Sequence, residues 1–231
     1  MSSFDPKLPK NKTAAMSLIL QHVARGYRHW TGGEIAAAKS IRFARKFDTQ
    51  YGVSRTPQQR AYYRARGSAA SALIILPRPK QPVADWVLLL TPGISSASEL
   101  EYLKDCTEQG ERLQFAGYEL IQQPSDGGRM RWTWRRPKAD MESWYALIDQ
   151  QARSTEQWKL KSSLQALAKS PGFAGVRAQT LRLFAYAKEH SRTGITTPFV
   201  NWTQFPDIYS DPPLRLSQWV ESQRTTVDAF E

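Results

Sequence analysis

Arginine and tyrosine alternate in the segment RTPQQRAYYRAR, residues 55–66. Guanidinium groups bind phosphates by charge and by paired hydrogen bonds, and tyrosine rings between them offer flat surfaces on which nucleic acid bases can stack. A helix that buries one tyrosine and exposes its arginines would have the same composition. We favour the first interpretation, and the candidate binding residues are Arg55, Arg60, Tyr62, Tyr63, Arg64 and Arg66.

A predicted helix over Glu34–Gln50 carries a second group of cations. Apolar residues recur at helical spacing and form one stripe: Ala37, Ile41, Ala44, Phe47 and Tyr51. Four cations fall away from that stripe: Lys39, Arg42, Arg45 and Lys46. The pattern fits a packed helix with a solvated basic back, and it equally fits a helix that presents its cations to phosphates.

The segment RMRWTWRR, residues 129–136, has the alternation of a β-strand. One face would carry three arginines and a threonine, and the other two tryptophans, a methionine and an arginine: Arg129, Arg131, Thr133 and Arg135 against Met130, Trp132, Trp134 and Arg136. We expect the indoles to pack in the core. The three arginines of the first face would then lie on an open sheet surface, and they extend the binding surface if they adjoin the N-terminal cations.

Positive charge is concentrated in the first third of the chain. Residues 1–80 contain 15 Lys and Arg against 3 Asp and Glu, a net of +12, whereas residues 81–231 contain 17 against 18, a net of −1. A concentrated positive potential attracts a polyanion by steering and by counterion release. Anionic membranes usually select Lys-rich amphipathic helices, whereas arginine predominates here. Nucleic acid is therefore the favoured partner, ahead of an acidic protein or a merely solvated face.

Catalytic signatures are scarce. The sequence contains no GxxxxGK[ST], GxGxxG, HExxH or GxSxG motif. The single cysteine, Cys106, excludes an intramolecular disulfide and a multi-cysteine zinc site, and no metal or other cofactor is expected. His29 is the catalytic candidate, because a histidine beside Arg28 and Tyr27 could act as a general base in metal-independent RNA cleavage. A nuclease is thus one alternative to a non-catalytic binding protein.

The N-terminal elements are predicted to be helical. A flexible arm over residues 1–12 precedes a helix over Thr13–Arg25, and the glycines of GYRHWTGG are expected to break structure before the helix over Glu34–Gln50. These two helices could form a helix-turn-helix, although their connection of about eight residues is longer than usual.

The middle of the chain predicts two hairpins separated by a helix over Ser96–Glu108. Ala72–Leu76 pairs with Trp86–Thr91, and Leu113–Gln123 pairs with Arg129–Arg136 around the turn PSDGG. With the helix that follows, the order is ββαββα, which predicts an α+β fold in which helices cover a sheet.

Three helices are predicted next, over Lys138–Ser154, Thr155–Lys169 and Phe173–Arg192. The tail from Thr193 is expected to lie extended and to end in a short helix near Leu216–Arg224. Its aromatic residues could bind protein partners, which makes an adaptor subunit the other alternative: Phe199, Trp202, Phe205, Tyr209 and Trp219. We divide the chain into a basic helical region (1–70), an α+β core (71–154) and a C-terminal part (155–231), together one compact unit.

Four stretches, GYRHWTGG, ARGSAASALIILP, WVLLLTPG and GYELIQQP…RWTWR, resemble a family of uncharacterised proteins of bacterial plasmids and integrative conjugative elements. The resemblance covers residues 26–190 and carries over no functional residue, because no activity is assigned to that family. It implies a cytoplasmic location and a role in the replication, transfer or regulation of mobile DNA. No apolar run has the length of a membrane span, and no membrane association is expected.

Overall fold

The computed structural model describes residues 3–125, 127–191, 194–200, 202 and 207–228. The chain divides into two compact units: unit 1 is Met1–Ala116 with Pro206–Glu231, and unit 2 is Gly117–Phe205. Unit 2 is therefore inserted into the sequence of unit 1. The predicted α+β class is confirmed, since the described residues contain both helices and antiparallel sheets. The sequence predicted one compact unit with divisions at residues 70 and 154, whereas these two units meet in the sequence after residues 116 and 205.

The elements follow one another along the chain in this order. Unit 1 begins with α1 (Lys12–Ala24), β1 (His29–Ala36), α2 (Ala37–Tyr51), α3 (Pro57–Ala65), β2 (Ser71–Pro77), β3 (Val83–Leu90), α4 (Ala97–Leu100), β4 (Lys104–Asp105) and β5 (Gln114–Phe115). Unit 2 contains β6 (Tyr118–Pro124), β7 (Met130–Arg135), α5 (Lys138–Arg153), α6 (Gln157–Ala168) and α7 (Ala174–His190), and the chain returns to unit 1 with α8 (Leu216–Asp228).

Unit 1 is built on a four-stranded antiparallel sheet with the order β2-β3-β1-β4. The predicted β2–β3 hairpin is confirmed, with Ser71 opposite Leu90 and Pro77 opposite Ala84. Residues on both faces of this hairpin are buried. This agrees with its sequence, which is apolar almost without interruption. Helix α2 packs against one face, where Phe47 meets Leu88 and Leu90, and α1 contacts β2 and β3.

The prediction that GYRHWTGG breaks the structure is wrong, because its second half forms strand β1 in the middle of the sheet. Gly32 and Gly33 lie opposite Val87 and Trp86. A Cβ atom on Gly32 would lie 2.8 Å from the carbonyl oxygen of Trp86, so the glycine admits a close approach of the neighbouring strand. The strand also separates α1 from α2, which rules out the predicted helix-turn-helix.

The N-terminal arm is not the free segment that was predicted. Leu8 is buried, its amide donates to the carbonyl of Leu214 at 2.8 Å, and Lys7 forms an antiparallel bridge with Arg215. The final helix α8 packs beside α2, and Leu216 and Trp219 share an apolar cluster with Leu8. The predicted C-terminal helix is confirmed, and it belongs to the core of unit 1.

The predicted helix over Ser96–Glu108 is also wrong beyond its first turn. Only Ala97–Leu100 is helical, and Lys104–Asp105 forms the edge strand β4 against β1. Cys106 therefore lies after a strand, where its amide donates to the carbonyl of Arg28 at 2.9 Å.

Unit 2 combines the β6–β7 hairpin with three helices. The hairpin is confirmed, with Glu119 opposite Arg135 and Pro124 opposite Met130, but its first strand begins at Tyr118 and not at the predicted Leu113. The three predicted helices are confirmed as α5, α6 and α7, and their apolar faces meet in one cluster around Ile148, Leu164 and Leu183. The predicted end of α7 at Arg192 lies outside the described residues, as does Phe205 of the tail. Among the helices described, none is long and apolar enough to cross a membrane.

Candidate nucleic-acid interface

Helix α2 separates its apolar and basic side chains onto opposite faces. Residues of the predicted stripe are buried except Ile41, which is half-buried, and Ser40 joins them. The opposite face, named here the α2 basic face, consists of Lys39, Arg42, Arg45 and Lys46, and all four are exposed. In the described part of the chain none of the four forms an ion pair. Their charges are therefore available to an external anion.

Helix α3 follows α2 after five residues and has no buried face. Its start is fixed by a capping box, in which the Thr56 hydroxyl accepts from the Gln59 amide and the Gln59 side chain accepts from the Thr56 amide. Pro57 supplies a preorganised first residue. None of its nine residues is buried. Packing in the core therefore does not explain why α3 carries arginines and tyrosines.

Two arginine–tyrosine stacks cover α3, and we name them together the Arg–Tyr cluster. The Arg66 guanidinium lies 3.5 Å from the ring centre of Tyr62, and the Arg55 guanidinium lies 3.9 Å from that of Tyr63. The two rings meet edge to face, with centres 5.5 Å apart. Tyr62 is 52% exposed and Tyr63 is 38% exposed. Charge and flat aromatic surface thus occur together at one place on unit 1.

Arg60 and Arg64 lie one turn apart on α3 in different surroundings. Arg64 is exposed, whereas Arg60 is half-buried and its Nη2 donates to the carbonyl of Val53 at 2.9 Å. Together with burial, the charges of Arg60 and Arg25 lower the pKa of His22 on α1 to about 4. Arg60 therefore ties α3 to the body of unit 1, which was not anticipated for a predicted binding residue.

A loop between β3 and β4 lies against the ends of α2 and α3. The Ile94 amide donates to the Gly67 carbonyl at 2.8 Å, and the Tyr51 hydroxyl donates to the Glu101 carboxylate at 2.7 Å. Ile94 is 82% exposed and Tyr102 is 75% exposed on this loop. Neither residue is among the predicted site residues. Ile94 precedes the predicted helix over residues 96–108, and Tyr102 would have lain on that helix among ordinary surface charges.

The three predicted arginines of unit 2 divide into two groups. Arg129 and Arg131 are exposed, whereas Arg135 forms an ion pair with Glu119 at 2.6 Å. The expected open sheet face is wrong at this end of β7, because Thr133 is buried and its hydroxyl accepts from the Gly175 amide of α7 at 3.1 Å. Of the indoles expected in the core, Trp134 is fully buried and Trp132 is half-buried.

His29 lies in β1, with its Nε2 3.7 Å from the Asp105 carboxylate of β4. This distance is longer than a hydrogen bond. The other carboxylate oxygen of Asp105 accepts from the amide and hydroxyl of Thr107. The neighbouring thiol of Cys106 is buried, and burial, helped by Asp105, raises its pKa to about 12, so the thiol is protonated at neutral pH.

A cavity of about 690 Å³ lies in unit 1 between the N-terminal arm and the β2–β3 hairpin. Two of its cations are engaged within the protein: Arg78 contacts the carboxylates of Asp85 and Glu34, and Lys10 contacts Asp207 at 3.2 Å. The hydrogen bonds to Asp85 and Glu34 raise the pKa of Arg78 above its usual value. The cavity is thus a poorer anion site than the α2 basic face.

The aromatic tail does not form one exposed surface. Phe199 is 91% exposed, whereas Trp219 is buried in the core of unit 1. The Arg177 guanidinium lies 5.9 Å from the ring centre of Trp202, and Tyr209 is half-buried.

No family model, curated protein or solved structure matches this chain.

Proposed function

We propose that this protein binds nucleic acid through the α2 basic face and the Arg–Tyr cluster. The observation that carries the proposal is the exposure of Lys39, Arg42, Arg45 and Lys46 on one helix, in a region where the described carboxylates do not pair with them. Phosphates bound to such a surface release their counterions, and this release favours binding. The proposal concerns binding and involves no reaction.

Salt dependence of binding is the direct test. Anisotropy titrations of labelled oligonucleotides between about 50 and 200 mM salt should give a linear fall of log K against log salt. Replacing Arg42, Arg45 and Lys46 by glutamine keeps helix propensity and removes three charges. We expect this variant to bind more weakly, with a slope that is shallower by about 0.7–0.9 for each phosphate that it no longer neutralises.

The matched control removes three exposed cations from unit 2, with Lys161→Gln, Arg182→Gln and Lys188→Gln. Its net charge equals that of the α2 variant, so it should retain the wild-type slope if the α2 face is the binding surface. Equal losses of affinity in both variants would mean that only total charge matters. Absence of binding at low salt, or a flat salt dependence, would refute the proposal.

Arg129 and Arg131 of unit 2 test the extent of the surface. A double glutamine variant that loses affinity would add them to the interface, and one that binds normally would confine the interface to unit 1.

From the resemblance, we infer that the nucleic acid belongs to a bacterial plasmid or integrative element and that the protein works in the cytoplasm. Sequencing of nucleic acid that co-purifies with the protein is the test. Enrichment of mobile-element sequence is expected, and a sample without such enrichment would count against this setting.

A further inference from the structure

We infer that the preferred polymer is single-stranded, with bases stacked on the Arg–Tyr cluster of α3. The inference rests on the proposed function and names the form of nucleic acid that the same surface takes. It depends on the tyrosine rings, since cations alone bind the phosphates of both forms and favour the duplex, whose charge density is higher.

The two tyrosines of α3 are exposed, and packing in the core does not require aromatic residues at these positions. The helix buries none of its residues, yet it carries two adjacent rings, one of them 52% exposed. Each ring is held by a guanidinium on one side, at 3.5 Å for Tyr62 and 3.9 Å for Tyr63. These contacts fix the rings in place before a ligand binds, so less side-chain entropy is lost on binding.

Each planar group in the cluster can receive a base on the face that is turned away from its stacking partner. Nucleic acid bases stack on tyrosine rings and on arginine guanidinium planes, and both groups are present here. In a duplex the flat faces of the bases are already stacked on one another, and only their edges reach the grooves. A duplex would therefore gain little from exposed rings, whereas a single strand can gain from each of them.

The neighbouring loop enlarges this platform. Ile94 bonds through its backbone to residues at the end of α3, since its amide donates to Gly67 and its carbonyl accepts from Ala69 at 2.9 Å. The same loop carries Tyr102, which is 75% exposed. A strand crossing α3 toward this loop would meet apolar and aromatic side chains in addition to the arginines of the Arg–Tyr cluster.

The test compares a labelled single-stranded oligonucleotide with its own duplex at the same salt concentration. We expect the single strand to bind at least about fivefold more tightly, the smallest gain that one stacked base provides. Replacing Tyr62 and Tyr63 by alanine should weaken single-strand binding by roughly 5- to 150-fold for each base that loses its stack. Duplex binding should change little. Replacing both by phenylalanine retains the rings and should leave single-strand affinity within about twofold.

Equal affinity for the duplex would overturn the inference and leave the proposed function intact. Alanine and phenylalanine variants that behave alike would also overturn it. Equal losses would implicate the hydroxyl or the fold, and equal retention of affinity would mean that the rings do not contribute. Loss of binding to every polymer would instead refute the proposed function. Thermal melting checks folding, since α3 has no buried residue and the variants should melt with the wild type.

Photo-cross-linking of the wild type to an oligonucleotide carrying 5-iodouracil gives a readout free of substitutions. The cross-linked peptides should contain Tyr62, Tyr63 or Tyr102. Cross-links found only outside unit 1 would overturn the inference.

Discussion

Arg60 and Arg64 illustrate how far a charge in a sequence predicts its use. Both belong to the same Arg/Tyr segment, but Arg60 donates to the Val53 carbonyl and Arg64 is exposed. Composition predicts that cations are concentrated here, and it carries no information on which of them donate to the protein's own backbone. Binding experiments should therefore replace Arg64 and leave Arg60, because a loss at Arg60 would combine binding with stability.

His22 should make the protein less stable in mild acid. Burial first, and then the charges of Arg60 and Arg25, lower its pKa from 6.5 to about 4. The unfolded chain therefore binds the proton at a higher pH than the folded chain, so the free energy of unfolding falls as the pH drops from 6.5 toward 4. Above this window His22 has no such effect. Between pH 7 and 5 the loss amounts to about 2 kcal/mol at most.

Urea unfolding at the two pH values measures this loss. The variant His22→Asn should show a smaller drop than the wild type. The control His190→Asn alters an exposed histidine of α7 and leaves His22 in place, so it should keep the wild-type drop. Equal drops in wild type and His22→Asn would contradict the prediction.

At the scale of elements, long amphipathic helices were predictable, whereas strand β1 with its two glycines and the short elements α4 and β4 were not. The apolar spacing of α2 and the alternation of β7 locate these elements to within a few residues. Strand β1 was missed because its glycines indicate a break in a single sequence, whereas they here make room for Trp86 of β3. That requirement is tertiary, and local pattern does not contain it.

Gly175 meets a similar requirement at the start of α7. A Cβ atom there would lie 2.5 Å from the carbonyl oxygen of Trp134, a backbone atom that cannot move without disturbing β7. We expect Gly175→Ala to destabilise the protein by about 1–3 kcal/mol, as overpacking does. Chemical denaturation measures the change.

Gly110 provides the matched control. A Cβ atom on Gly110 would meet nothing within 4 Å, and its φ is not in the left-handed region. Gly110→Ala should therefore be neutral or slightly stabilising, because it restricts the unfolded chain. A Gly175→Ala variant as stable as the Gly110 variant would show that α7 can shift away from β7.

At the scale of the whole molecule, the charge asymmetry was predictable and the division into units was not. The cations of residues 1–80 can be counted from the sequence alone. Unit 1, however, is completed by α8 from the other end of the chain, a contact between segments about 200 residues apart in sequence. Neither composition nor periodicity relates Leu8 to Trp219. The exposure of the α2 cations could therefore be predicted, but the packing of α8 against α2 could not.

Replacing Trp219 tests how much the packing of α8 contributes to the stability of unit 1. Trp219 is 6% exposed in the cluster that contains Leu8 and Ala37. We expect Trp219→Ala to cost about 3–5 kcal/mol of unfolding free energy, and to weaken nucleic acid binding because α8 packs on α2. Trp158, which is 64% exposed on α6, is the control, and its replacement by alanine should change stability by less than about 0.5 kcal/mol.

A ribosome finishes unit 2 before it can finish unit 1. While residues 117–205 are translated, Leu8 and Ala37 have emerged without the side chains of α8 that later cover them. At about 5–20 residues per second this interval lasts roughly 4–18 s, long enough for an uncovered apolar surface to meet a chaperone or another nascent chain. Yield in the cell should therefore depend on how the N-terminal segment is protected during synthesis, even in variants whose finished fold is as stable as the wild type.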